Sequence, residues 1–196
     1  MSHTTNVYPL PIEAWDSSLA QVLKDTNERP LNVHSLMAHN PLLLKAWWNF
    51  RNYSVNGGEL GRRQAELVIL RVAVHMRAWY EWGSHVDRSL ACGLSLTEIE
   101  RVAQGGRAEG WSDNDSVLLD AVDELIADHG LGETCLQQLS EHYSVPQILD
   151  IMAIHGMYVI LACMINTWGL ELDDHVQTAL PATVTPAAFE QLLAPS

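Results

Sequence analysis

Apolar residues in this chain recur every three or four positions, in stretches separated by capping and breaking residues, while strict apolar–polar alternation is scarce. The pattern predicts helices from end to end. Asn40-Pro41 supplies an N-cap and a first helical residue for a helix over Leu42–Asn52, and Asn56-Gly57-Gly58 breaks the chain after it. Gly61–Ala91 reads as one long helix or two continuous ones, closed by Gly93 just past the end. Ser95 followed by Glu98 is a capping box for a short helix that ends near Gly105-Gly106. Ser112 caps a helix over Asp113–Asp128, whose first turn is acidic as the helix dipole favours. Another helix covers Glu133–Glu141. Val145-Pro146 opens one that runs to Thr167, apolar around most of its circumference and therefore expected at the centre. Thr185-Pro186 begins a last short helix. No composition shift divides the chain, so the expectation is one all-α domain over 1–196, with 1–29 as a candidate N-terminal arm.

Composition narrows the partners. Apolar residues make up 47% and charged residues 18%, a globular balance with enough apolar matter for a real core. Against 11 Lys and Arg stand 24 Asp and Glu, for a net charge of −13. That excess repels phosphate backbones and anionic lipid, which argues against nucleic acid and membrane partners. A local Arg can still receive an anion. The three cysteines, Cys92, Cys135 and Cys163, form no CxxC pair or disulfide framework, and no basic-then-apolar leader opens the chain. Apolar runs are interrupted by Arg71 or Asn166, short of the roughly 20 residues of a spanning helix. A reducing, cytoplasmic setting is the expectation.

Chemistry concentrates between Glu66 and Val86. On one ideal helix Ala78, Glu81, Trp82 and His85 share a face, Arg71 and His75 lie close to it, and Glu66 sits a quarter turn away. Glu81 and His85, four apart, allow a carboxylate to orient an imidazole, although such pairs are common on solvated faces. Trp79 and Trp82 suit either a core or a substrate wall. Arg71 interrupts an apolar run, so it is either a buried ion pair with Glu66 or another acid, or a bidentate receptor for a substrate carboxylate. His75, Glu66, Glu81 and His85 have the chemistry of metal ligands. His75 and His85, ten residues apart, stand about 15 Å from one another along one helix, too far for one ion without ligands such as His155 or His34. No metal is expected. His155, inside an apolar run, reads as a core histidine that can also line the same pocket.

The stretch Glu66-Leu67-Val68-Ile69-Leu70-Arg71-Val72-Ala73, then Tyr80-Glu81-Trp82, His85-Val86, Cys92-Gly93-Leu94-Ser95 and Glu98-Ile99, resembles the central block of the carboxymuconolactone decarboxylase and alkylhydroperoxidase superfamily. The likeness covers Glu66–Val102 well and Pro146–Leu172, with Asn166, more loosely. The peroxidase branch has Glu, Cys twelve residues on, Cys three further, and His four further. Here those positions hold Glu66, Ala78, Glu81 and His85. A thiolate must attack the peroxide and a second thiol resolve it, and neither Ala78 nor Glu81 can do so.

The resemblance therefore implies an alkylhydroperoxidase-like helical bundle that assembles as a trimer or hexamer. It also implies chemistry like that of the decarboxylase branch, which acts on a small carboxylated lactone without metal or organic cofactor. On that expectation the chain is a cofactor-free lyase or isomerase for a small carboxylated or enolisable substrate. His85 carries the proton, Glu81 or Glu66 orients it, Arg71 receives the anion and Tyr80 stabilises the oxyanion, with Trp82, His75 and His155 contributing to binding. Two other readings stay open: a redox protein using a cysteine outside the family pattern, and an oligomer that binds a small acid without turning it over.

Overall fold

A computed structural model describes residues 6–56 and 58–194, and every element in them is helical. Eleven α-helices run in chain order: α1 Ala20–Asp25, α2 Asn32–Met37, α3 Pro41–Asn56, α4 Arg62–His75, α5 Trp79–Ala91, α6 Leu96–Arg101, α7 Asp113–Asp128, α8 Glu133–Ser140, α9 Val145–Trp168, α10 Asp174–Ala179 and α11 Pro186–Leu192. The capping signals act as their chemistry requires. Asn40 Oδ1 accepts from the Leu43 N–H at the start of α3, and Ser95 and Glu98 close a reciprocal box at α6. Ser112 and Thr185 cap α7 and α11. Of the predicted break at 56–58, Gly57 lies outside the described residues, as do residues 1–5 of the predicted arm. Residues from Asn6 onward pack on the bundle: Trp15, Leu19 and Val22 are buried, and Trp48 donates to Asp25 Oδ2 at 2.8 Å.

The predicted helix over Gly61–Ala91 is broken, and the break builds the site. At Met76–Ala78 the chain reverses through a Schellman turn, with the Ala78 N–H on the Ala73 carbonyl and the Arg77 N–H on that of Val74. Arg77 takes the left-handed conformation (φ 51°) that glycine usually supplies, so no glycine marks the turn in the sequence. Asn166 on α9 donates to the Met76 carbonyl at 2.7 Å and holds it from outside. The resulting hairpin lays α5 beside α4.

Helix α4 is the centre of the bundle, packed against α5, α7 and α9, and its residues from Leu67 to Leu70 are fully buried. The central place expected for α9 is only half correct. One side of α9 enters the core through Ile151, Ile154 and Leu161, while Leu149, Ile160 and Cys163 on the other are exposed. By length and composition α9 qualifies as a membrane span (mean hydropathy 2.1), unlike the reading of its interrupted run. Half of that window is buried inside the protein.

Candidate functional site

The hairpin sets Glu66 of α4 opposite His85 and Ser89 of α5. His85 Nδ1 lies 2.7 Å from Glu66 Oε2, and the Ser89 hydroxyl donates to the same oxygen at 3.4 Å. A carboxylate only accepts, so the bond places the His85 proton on Nδ1 and leaves Nε2 with a lone pair. Burial pushes the imidazole pKa down, Glu66 opposes it, and the charges of Arg88 and Arg51 add to the lowering. His85 is therefore a neutral, oriented base, with Arg88 Nη1 3.5 Å from its Nε2.

That imidazole faces a small, partly open pocket of about 30 Å³, whose walls come from α2, α3, α5 and α9. Glu81, Ser84, His85 and Arg88 share one face of α5 and all line it. Glu81 is buried and neither carboxyl oxygen has a partner among the described residues, so burial drives its pKa well above the usual carboxylate range and favours the protonated form. The Ser84 hydroxyl is also buried without a partner among the described residues. Tyr158 of α9 stands edge-on to His85 with ring centres 5.0 Å apart. Arg51 and Arg88 form no ion pair among the described residues, although both line the pocket. They also border an outer groove with Arg62, Arg63, Glu66 and Cys92. A chain of net charge −13 thus places two arginines in the wall of this cavity.

The sequence-predicted residues divide. Glu66, Glu81 and His85 come together, with Glu66 and not Glu81 as the orienting acid. Arg71 is elsewhere. Its guanidinium grips Asp123 (Nε–Oδ1 2.5 Å, Nη2–Oδ2 2.9 Å) and donates to the Val102 and Ala103 carbonyls, so four of its five N–H groups are committed and no bidentate fork is left for a substrate carboxylate. His75 binds the same Asp123 at 2.7 Å, because the turn at Arg77 removes both from the face that carries His85. Tyr80 reaches the pocket wall, but its hydroxyl donates to Asp173 Oδ2 at 2.6 Å and accepts from the Val33 N–H, so its one proton is committed. Trp82 is buried against Phe189, ring centres 5.1 Å apart, as a core anchor. His155 is half-buried and outside the residues that line the pocket.

Sequence reasoning passed over Arg51, Arg88, Tyr158 and Ser84, and saw His34 only as a distant metal ligand. Arg88 had a signal, seven residues after Glu81 and three after His85 on one helical face. Ser84, three residues after Glu81 on the same face, had the same signal, whereas Arg51, Tyr158 and His34 come from separate helices and had none. Among the described residues no three His, Cys, Asp or Glu side chains cluster as a metal site. The cysteines are all unpaired. Burial and Glu66 push the Cys92 thiol pKa up, and burial with Glu124 pushes Cys135 up to about 12.

Residues 41–124 match the carboxymuconolactone decarboxylase family. Among solved structures, the alkylhydroperoxidase core of a peroxidase-related protein from Ralstonia eutropha aligns at TM-score 0.74 and 19% identity, over 87% of this chain and 94% of that one. A peroxidase-related protein from Silicibacter aligns at TM-score 0.72 and 16% identity, over 90% and 97%. The debrominase Bmp8, as a cysteine-to-alanine variant with 2,3,4-tribromopyrrole, aligns at TM-score 0.75 and 14% identity, over 98% and 100%. No curated protein sequence matches the chain. Residues 41–124 thus match the model of the carboxymuconolactone decarboxylase family, and the described residues share the alkylhydroperoxidase-like helical fold of these structures.

Proposed function

We propose that the chain is an acid–base enzyme, a decarboxylase-like lyase or an isomerase, acting on a small carboxylated molecule that can form an enolate. The observation that carries this reading is one cavity holding an oriented neutral base, His85, and a protonated acid, Glu81, beneath two arginines without carboxylate partners. General acid–base catalysis needs such a pair within reach of one substrate, with environments that push the two pKa values apart.

In this account Arg51 and Arg88 draw the anion in and hold a carboxylate, and Arg88 turns from His85 toward it, freeing Nε2. His85 Nε2 takes a proton from the carbon next to the carbonyl. The C–H electron pair moves onto the carbonyl oxygen, and Glu66 steadies the imidazolium through Nδ1–H. Glu81 returns a proton at carbon, and the proton held on His85 Nε2 passes to the Glu81 carboxylate, completing an isomerisation. For a substrate whose carboxylate lies beside the reacting carbon, the C–CO₂ bond breaks instead, CO₂ leaves, the electron pair enters the same enolate, and Glu81 protonates the carbon; His85 Nε2 then takes a proton from water and passes it to the Glu81 carboxylate for the next turnover. The resemblance to the decarboxylase branch favours that second course, and the raised thiol pKa values speak against thiolate chemistry.

The test is a turnover screen of small enolisable acids with wild type, His85→Ala and Glu66→Gln in parallel. Losing the orienting carboxylate should lower kcat by roughly 10²–10⁴-fold, the usual worth of a positioned acid–base group. Turnover that survives His85→Ala would remove the proposal.

A further inference from the structure

The two nitrogens of His34 meet different surroundings. Nδ1 accepts the Leu31 N–H at 3.2 Å in the first turn of α2, so the ring proton resides on Nε2. Nε2 has no hydrogen-bond partner among the described residues, while the ring lines the pocket that holds His85 and Glu81. Trp47 and Trp48 clamp the imidazole, with ring centres 5.7 and 5.0 Å away. This is a fixed N–H with no structural employment, directed by elimination at the space a substrate would fill.

We propose that His34 is a catalytic residue, the donor whose Nε2–H stabilises the oxygen on which negative charge gathers during the reaction. The inference rests on the acid–base reading of this cavity. As the bond to carbon breaks, its electron pair passes to the carbonyl oxygen, and His34 hydrogen-bonds that oxyanion while keeping its proton. A neutral donor is the right kind, because an imidazolium would tend to surrender its proton and collapse the enolate to enol. Burial above all, with the charges of Arg51 and Arg88, lowers the His34 pKa to about 3 and secures the neutral form. The preorganised donor adds nothing to the barrier in reorganisation. His34 so takes the part expected of Tyr80, whose proton is spent on Asp173.

The experiment uses the full chain and two probes: oxalate, a planar mimic of an α-carboxy enolate, and acetate, a lone carboxylate. His34→Asn keeps an acceptor where Nδ1 stood and leaves nothing at the Nε2 position, whereas His34→Gln restores an N–H there. Removing one hydrogen bond to a charged group should weaken oxalate by roughly 10–100-fold in the Asn variant. Gln should recover most of that loss, and acetate should bind all three proteins alike. Nitrogen-resolved NMR of the ring should show one neutral, Nε2-protonated tautomer from pH 5 to 8, its N–H signal moved by oxalate. Equal oxalate affinity in wild type and Asn, or a ring protonated at Nδ1, overturns the role of His34 alone. Failure of oxalate to bind the wild type overturns this inference, and persistence of turnover in His85→Ala overturns the reading beneath it.

Discussion

Replacing Asp123 by Asn separates a structural from a catalytic Arg71. Asp123 takes two bonds from the guanidinium and a third from His75, and the Arg71 side chain is only 10% exposed. Removing one partner of a buried pair typically destabilises by about 3–5 kcal/mol. Asp123 is 32% exposed, and Asn retains one acceptor, while the Val102 and Ala103 carbonyls still solvate Arg71. The loss should therefore fall to about 2–3 kcal/mol, or roughly 5–10 °C in Tm for a chain of this length. Urea and thermal unfolding followed by circular dichroism measure it. The effect also carries a pH signature. Burial raises the Asp123 pKa, but the bonds from His75 and Arg71 prevail and hold it below the ordinary aspartate value. A depressed carboxyl stabilises above its unfolded pKa and loses that contribution as pH falls through the folded one. The gap between wild type and Asp123→Asn should thus be full at pH 7 and close in acid below about pH 4. Turnover by the folded variant should stay near wild type. Unchanged stability with abolished turnover would refute the assignment and return Arg71 to the substrate.

Glu81→Gln should keep the fold while greatly reducing kcat, and its pH dependence has the opposite sign. The raised carboxyl of Glu81 stabilises fully below its unfolded pKa and loses that benefit as pH rises toward the folded one. The Glu81→Gln variant should therefore gain on wild type in Tm between pH 4 and 8, and parallel curves would show that Glu81 is not buried as an acid. Trp82→Ala should destabilise by about 3–5 kcal/mol in the same unfolding assay through the space it leaves beside Phe189. We also propose a trimer or hexamer, with Leu149, Ile160 and Cys163 on the open side of α9 toward a neighbouring copy. Light scattering at micromolar concentration checks this, and a monomer would contradict it.

Local punctuation made the helices legible. Asn40-Pro41, Ser95 with Glu98, Ser112 and Thr185-Pro186 each act within one turn of the chain, so their chemistry is complete in the sequence. The turn at Met76–Ala78 was hidden because Arg77 holds the left-handed position and Asn166, 90 residues distant, supports it. That single reversal explains the divided fate of the site residues. Glu66 reached His85 by family spacing, yet the ideal-helix argument wrongly kept Arg71 and His75 beside it. Asp123, which claims both, lies 52 residues from Arg71 and announces nothing locally. Arg51, His34 and Tyr158 converge from three further helices, through packing that no period in the sequence records.

The most direct measurement is turnover in D₂O of an acid found in the screen, followed by NMR, for wild type, His85→Ala and a variant with Cys92, Cys135 and Cys163 all replaced by Ser. Peroxide consumption with a dithiol reductant is recorded in the same samples. The account predicts one deuterium delivered to product carbon by wild type and by the cysteine-free protein, and no product from His85→Ala. Peroxide consumption that vanishes with the cysteines, with no deuterium at carbon in any sample, would contradict it.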